Sequence, residues 1–274
     1  MTCKLIRKLR CLFLGETQMG MGKIAAVGFP DFWQTAHDKF PDAFTAIREM
    51  ISVQQELFQK PLTEPLHKVI RHIAKMTLNS LGALTTLVLN GYGNDAMKIA
   101  RGMFEGCVNA CYLQKYPSEI DNFLDYHWIR QYRWLKYLET TNPSALTARA
   151  AEVNVIKSEF AKVESRFKDK AGRLRGSWSS KSIGARARDV GMGDHYETFY
   201  SWASSMHHVD IGALTAQADS KDVDVAPSLE WLNIALITGH MAALRCLGAF
   251  NEVASLGMDK EIQVAMDDFQ TAWK

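Results

Sequence analysis

The sequence predicts an all-α protein, a single-domain bundle of about eight to nine helices. Apolar residues recur at intervals of three and four along most of the 274 residues, which is the period of a buried helix face. No run alternates apolar and polar residues with the β-branched enrichment that is typical of strands, and no motif repeats at a fixed interval. Proline and glycine fall between the periodic segments, where helices end. A chain of this length buries a sizeable core without disulfides or metals.

The first helices are separated by proline and glycine. Residues 29–33 are predicted as a loop, followed by helices at 41–59, 63–91 and 94–116. A proline in the first turn of a helix loses no helical hydrogen bond, so Pro65 is compatible with the start of the second one.

The remaining segments are punctuated in the same way. In chain order, we expect helices at 118–141, 144–170, 183–190, 195–218, 227–256 and 260–273, with a loop at 171–182. The helix at 144–170 is strongly charged and has only a narrow apolar stripe. Its other faces are expected to be solvated or to contact a second subunit, so a homo-oligomer or a protein partner is predicted.

Residues 1–28 are predicted to form a flexible basic arm in front of the helical domain, residues 29–274. The arm opens with basic residues and a short apolar run, 11–14, which is too short for a signal peptide. Whether residues 1–20 belong to the mature protein stays open, because Met19 and Met21 are alternative starts.

Composition excludes several classes of protein. Lysine and arginine total 32 against 30 acidic residues, a net charge of +2, which argues against a strongly basic nucleic-acid coating protein and against an acidic one. Five cysteines show neither a CxxC pair nor a disulfide pattern, so a reducing, cytoplasmic compartment is predicted, with Cys107 and Cys111 as core residues. The apolar segment 229–250 is interrupted by charged and polar residues, so no membrane span is predicted.

The helix at 94–116 carries the first candidate site. Arg101 and Glu105 stand four residues apart on one face of an otherwise apolar helix. A buried arginine and glutamate must be paired or put to use. We expect a partner helix to bring polar groups to them, and Tyr200, Ser204 and His208 recur at intervals of four in the predicted helix 195–218.

A second candidate site is a basic segment at 166–189. It holds eight basic residues against two acidic ones. Such a local positive field with a tryptophan is suited to bind phosphates and stack bases, so RNA is a predicted partner. The candidate binding residues are Arg173, Arg175, Trp178 and Lys181. A solvated helix end and loop is the alternative interpretation.

Motifs for cofactors fail on spacing or context. Gly22-Lys23 lacks the first glycine and the hydroxyl residue of a phosphate-binding loop, and the glycines at 91 and 93 follow a helix rather than a strand. A two-metal site needs two Glu-x-x-His pairs, and only Glu64 with His67 supplies one. No cofactor and no metal are therefore predicted. A metal held by Glu105, His207, His208 and Asp210 is the less favoured alternative.

The chain resembles the bacterial family named domain of unknown function 5677 over about 65–212. The likeness rests on Arg101-x-x-x-Glu105 followed by Tyr112-Leu113, then on Trp178 before a short helix, and on the later set Tyr200, Ser204 and His208. His207 is an alternative to His208 as the family histidine.

That family resembles, more distantly, the all-helical HEPN proteins, which implies ribonuclease activity in toxin–antitoxin or phage-defence systems. Their usual arginine–histidine signature is matched only by Arg188 and His195, with Gly191 and Gly193 between them. The sequence departs from the signature at this point.

Two functions are therefore predicted as alternatives. In the first, the protein is a metal-independent ribonuclease or phosphoryl-transfer effector. His208 is then the general base, Arg101 stabilises phosphate charge, Glu105 holds Arg101, and Ser204 and Tyr200 orient the histidine. In the second, the protein is a non-catalytic helical interaction module, and the same residues form a buried structural network.

Overall fold

A computed structural model describes residues 29–59, 61–208 and 227–274 of the chain, and these residues confirm the all-α prediction. Their extended structure is limited to one isolated bridge between Lys168 and Leu174. The helices are α1 Pro30–Lys39, α2 Pro41–Leu57, α3 Pro65–Leu89, α4 Gly93–Lys115, α5 Ile120–Thr141, α6 Pro143–Thr147, α7 Ala150–Val163, α8 Ile183–Asp189, α9 Ser201–His208, α10 Leu232–Ala254 and α11 Asp259–Ala272. The predicted basic arm, residues 1–28, lies outside the described residues.

Helices α3, α4 and α10 pack against one another and form the centre of the bundle. Their facing surfaces supply the largest buried side chains, among them Leu81, Phe104 and Phe250. In the described part of the chain, α10 is the one helix long and apolar enough to cross a membrane, and most of it is buried inside the protein. Burial on nearly every face explains its composition, because a helix without a solvated face carries no polar stripe.

The turn between α3 and α4 fixes the start of the central helix. Gly91 has a φ of +71°, a conformation that favours glycine. A Cβ on Gly93 would lie 1.9 Å from the carbonyl oxygen of Glu230, so a side chain is excluded there. The backbone N–H of Ser228 also donates to Gly91 O at 3.1 Å. The segment before α10 is thus held tightly against the first turn of α4.

Helix α5 pairs with α7 beside the central helices. The rings of Tyr132 and Phe160 stack between them, with centroids 3.7 Å apart. Trp178, from the irregular segment at 168–182, packs edge-on against Phe123 of α5 at 5.2 Å and Tyr112 of α4 at 5.9 Å. This tryptophan joins the α5–α7 pair to the centre of the bundle.

Two predicted boundaries in the first half of the chain differ in the structure. The predicted loop at 29–33 is the start of α1, whose first turn contains Pro30 and Asp31, residues that favour a helix N-terminus. The predicted charged helix 144–170 is divided into α6, α7 and a 3-10 turn, Glu164–Phe167. Asn142 caps α6 by accepting a hydrogen bond from the N–H of Ala145 at 3.4 Å.

The predicted histidine-bearing helix 195–218 is also less regular than expected. A short helical turn, Gly193–His195, is followed by a π-helical turn, Tyr196–Tyr200, and only then by α9. The remainder of this predicted helix falls within 209–226, outside the described residues. The π-helical turn places Tyr200 against α4, and α9 also packs on that helix.

Candidate functional site

The polar face of α4 is the starting point of the site. Buried apolar residues such as Met103, Phe104 and Cys107 cover the faces that meet α3 and α10. Arg101, Glu105 and Asn109 follow one another at intervals of four on the remaining face, which α8 and α9 approach. One turn of helix separates each pair of neighbours, so their side chains line one edge.

Arg101, Glu105 and Tyr200 form a closed three-membered network. Arg101 Nη2 lies 3.2 Å from Glu105 Oε1 and donates to Tyr200 Oη at 3.1 Å. The Tyr200 hydroxyl in turn donates to Glu105 Oε1 at 2.7 Å. The Arg101 side chain is 17% exposed and that of Glu105 is 40% exposed. The network is therefore closed on the arginine side and open to solvent on the carboxylate side.

The tyrosine of this network is held by aromatic packing. Tyr196 stacks on Tyr200 with centroids 5.0 Å apart, and Phe104 lies 5.7 Å away. Burial raises the pKa of the Tyr200 phenol above its ordinary value, and its hydrogen bond to Glu105 raises it further. The phenol is therefore a hydrogen-bond donor at neutral pH, which keeps Glu105 Oε1 occupied.

One turn further along α4, Asn109 accepts a hydrogen bond from Arg186 Nη1 of α8. Arg186 is only 5% exposed, and its guanidinium carbon lies 4.8 Å from the centroid of the Trp178 ring. No carboxylate among the described residues forms an ion pair with it, in contrast to Arg101. Burial lowers the pKa of Arg186, but nearby Tyr112, Glu105 and Tyr200 raise it, and a guanidinium remains charged in proteins.

Glu105, Asn109, Trp178 and Arg186 line one cleft, with a volume of about 1310 Å³. Its opposite wall consists of α5 and the start of α7. Besides Arg186, the cleft is lined by three further arginines, Arg130, Arg133 and Arg149. Aromatic side chains line it as well, namely Phe123, Tyr126, Trp134 and Trp178. The cleft is thus a concave surface with several guanidinium groups and aromatic side chains, of which Trp134 is exposed.

The arginines of the cleft differ in how far they are engaged. Arg133 donates to the Tyr126 hydroxyl and to the carbonyl oxygens of residues 174 and 175, so it fixes the irregular segment. Arg149 is 3.7 Å from Glu152, an exposed and long pair. Arg130 is exposed and has neither an ion-pair nor a hydrogen-bond partner within the described ranges. It is available to a ligand.

Two of the predicted catalytic residues do not join the network. Ser204 is half-buried on α9, and His208 is exposed at its end. Neither forms a hydrogen bond or ion pair with Arg101, Glu105 or Tyr200 in the part of the chain described. His208 contacts His207 edge-on at 5.0 Å, so the geometry does not favour one histidine over the other as the family residue. The catalytic role of His208 stays a prediction.

The predicted RNA-binding residues of the segment 166–189 differ in exposure. Some lie on the surface, and others are partly or fully buried in the fold. Arg173 is exposed and pairs with Asp169 at 3.1 Å, and Lys181 pairs with Asp189 at 2.6 Å. Arg175 donates to the carbonyl oxygen of Arg166 at 2.6 Å. Trp178 is buried and packed on both sides, so only its edge reaches the cleft.

Most of the positive charge of this segment is paired. Arg166, Lys168 and Arg188 pair with acidic residues outside the segment, Asp125, Glu164 and Glu197 respectively. The field that the sequence predicts is therefore much weaker at the surface than a count of basic residues indicates. RNA binding through this segment stays a prediction.

Sequence reasoning missed Arg186 and Arg130 as site residues. Arg186 is one of eight basic residues in its segment. The sequence feature that could have identified it is its small neighbours, Gly184-Ala-Arg-Ala, because small residues are typical of a helix packed closely on another. A Cβ on Gly184 would lie 2.7 Å from the Tyr196 ring, so this approach is real. Arg130 lies on an amphipathic helix and carried no signal of its own.

The described residues include free thiols but no cluster of metal ligands. Within the described residues, no group of three or more His, Cys, Asp or Glu side chains is arranged to hold a metal ion. Asp210, a member of the alternative metal set, lies outside them. Cys107, Cys111 and Cys246 are free thiols, and Cys107 is fully buried, as predicted for a core residue. Cys111 is half-buried.

Fold and site together define an all-α bundle whose central helix carries an Arg-x-x-x-Glu pair closed by a distant tyrosine. The chain belongs to the Family of unknown function (DUF5677), whose model matches residues 67–224, more than half of its length. This confirms the family resemblance, with slightly later boundaries than the predicted 65–212. No curated protein and no solved structure matches the chain significantly.

Proposed function

We propose that this protein binds single-stranded RNA in the cleft between α4, α5, α7 and α8. The observation that carries the proposal is the lining of the cleft, where guanidinium groups lie beside aromatic rings. Guanidinium groups bind phosphates, and aromatic side chains stack on bases of any sequence, so single strands are the form of nucleic acid that such a surface fits. A place in defence or toxin systems is the role that the HEPN resemblance implies for this binding.

Arg130 is the arginine best suited to test the proposal, because it is exposed and forms no hydrogen bond or ion pair with the described residues. We expect Arg130→Ala to weaken binding of a fluorescent single-stranded RNA several-fold. The slope of log Kd against log salt concentration should become smaller by about 0.7, the value for one lost phosphate contact on a single strand. Arg48→Ala, which removes an exposed arginine from α2, is the matched control and should leave both quantities unchanged. Equal effects of the two variants would place the RNA elsewhere.

Metal-independent phosphoryl transfer is a second candidate, and one specific observation favours it. Glu105 belongs to the network and also lines the cleft, and its Oε2 accepts no hydrogen bond from the described residues. A carboxylate held in this way is able to take the proton of a ribose hydroxyl, with Arg101 and Tyr200 orienting it and Arg186 next to the phosphate. His208, the base predicted from the sequence, takes no part in this arrangement.

Cleavage of labelled RNA in the presence of EDTA separates these candidates. Glu105→Gln keeps the size of the side chain and its acceptor for Tyr200, and should reduce cleavage by about 10²-fold or more if Glu105 is the base. His208→Ala should do so if the sequence-based assignment is correct. Binding without cleavage by the folded parent leaves RNA binding as the function and makes the network of Arg101, Glu105 and Tyr200 structural, as expected of an interaction module.

A further inference from the structure

Arg186 is a buried cation that forms no ion pair with any of the described residues. It is 5% exposed, it pairs with no carboxylate among the described residues, and its charged group is bonded to the neutral amide of Asn109. A buried charge without a counter-charge is unfavourable for folding, because the interior solvates it less well than water. An interaction beyond those that the described residues provide is therefore needed to balance this charge.

The donors around Arg186 are incompletely satisfied. Arg186 Nε and Trp178 Nε1 are both buried and have no hydrogen-bond partner, and both side chains line the cleft. The guanidinium of Arg186 also lies over the Trp178 ring, 4.8 Å from its centroid, which is a cation–π contact. Two unused N–H donors next to an unpaired positive charge are complementary to an oxyanion with several acceptor oxygens.

We propose that Arg186 is the anchor for a phosphate group, with Trp178 Nε1 as a second donor and Asn109 as the residue that orients the guanidinium. The inference rests on the proposed function, which places an RNA strand in the same cleft, and it names the point at which one phosphate is held. A phosphate is the group that fits, because the guanidinium fork binds two of its oxygens at once and a third remains for the indole N–H.

The test is calorimetric titration of the full chain with three probes, namely adenosine 5′-monophosphate, inorganic phosphate and adenosine. The parent should bind the nucleotide and not the nucleoside, and binding of inorganic phosphate shows whether the phosphate alone is sufficient. Arg186→Lys keeps the charge but loses the fork, and should weaken nucleotide binding by about tenfold or more. Arg48→Ala, which removes an exposed arginine outside the cleft, serves as the comparison.

A second variant keeps the result interpretable if Arg186→Lys folds poorly. Arg186→Met replaces the buried charge by an apolar side chain of similar length, and should melt at the same or a higher temperature than the parent while losing nucleotide binding. A lower melting temperature together with undiminished nucleotide affinity would make Arg186 structural and overturn the inference.

The two proposals fail in different ways. If the parent binds RNA and both Arg186 variants bind RNA and nucleotide as tightly, the anchor is refuted and RNA binding stands. If the parent binds the nucleotide through Arg186 but not RNA, the anchor stands and the proposed function is refuted. A parent that binds none of the phosphate-bearing probes refutes both.

Discussion

The hydroxyl of Tyr200 bridges Arg101 and Glu105, and its removal tests whether the network stabilises the fold. Tyr200→Phe deletes one oxygen and leaves the ring, which keeps its stacking on Tyr196 and its contact with Phe104. Any loss of stability then reports the two hydrogen bonds of the hydroxyl rather than packing.

The expected magnitude follows from the exposure of the two charged partners. A hydrogen bond to a charged group contributes about 1.5–3 kcal/mol when both groups are buried. The Glu105 side chain is 40% exposed, so water replaces the lost phenol at its carboxylate. The Arg101 side chain is only 17% exposed, but it retains its ion pair with Glu105 at 3.2 Å. We therefore expect the free energy of unfolding to fall by about 1–2 kcal/mol, which corresponds to a decrease of about 2–8 °C in Tm.

Urea denaturation of the parent, Tyr200→Phe, Glu105→Ala and the double variant measures this coupling directly, because the alanine removes the acceptor of the phenol. Groups that share one network should give an interaction energy of about 1 kcal/mol. Tyr137→Phe, at an exposed tyrosine of α5, is the matched control and should not change stability. Additive effects of the two single substitutions would show that the hydroxyl does not bridge the pair, and a loss above about 4 kcal/mol would mean that Glu105 is not solvated as described.

Three further changes have defined outcomes. Gly93→Ala places a Cβ 1.9 Å from Glu230 O, so its Tm should fall by well over the few degrees typical of a surface change, measured by thermal denaturation. Gly184→Ala meets the Tyr196 ring at 2.7 Å, and should displace that ring and weaken the stacking on Tyr200, which near-ultraviolet circular dichroism will detect as a changed tyrosine signal. Burial lowers the pKa of His240 from 6.5 to about 4, so the unfolded chain binds a proton that the folded chain does not. The free energy of unfolding should therefore fall as the pH falls through this window, by about 2 kcal/mol between pH 7 and pH 5, and urea titrations of His240→Leu should lack this part of the slope.

Helical periodicity predicted the part of the site that local geometry controls. The spacing of Arg101 and Glu105 guarantees that they face one way, and the need for a polar partner pointed to Tyr200. The same reasoning did not extend to His208, because residues eight apart on an α-helix are rotated by about 80° from each other. The π-helical turn at Tyr196–Tyr200 shifts the phase further, and nothing in the local sequence signals it.

The cleft was beyond prediction because it is assembled from separate segments. Asn109, Arg130, Trp178 and Arg186 come from three helices and an irregular segment, and only packing brings them together. The basic segment shows the opposite error. Its composition is correct, but the acidic residues that neutralise much of it lie elsewhere in the chain, so a local count overestimates the exposed charge.

Arg101, which is half-buried, and Arg186, which is buried, require different explanations. Arg101 has a carboxylate partner and a phenol, so the fold accounts for its charge, and a structural role is sufficient. Arg186 is more deeply buried, and its partner is a neutral amide. If both arginines were structural, replacing either by methionine should destabilise the protein, because each substitution would leave a partner unpaired. The charge balance predicts instead that Arg101→Met lowers the Tm, because Glu105 loses its counter-ion, and that Arg186→Met does not.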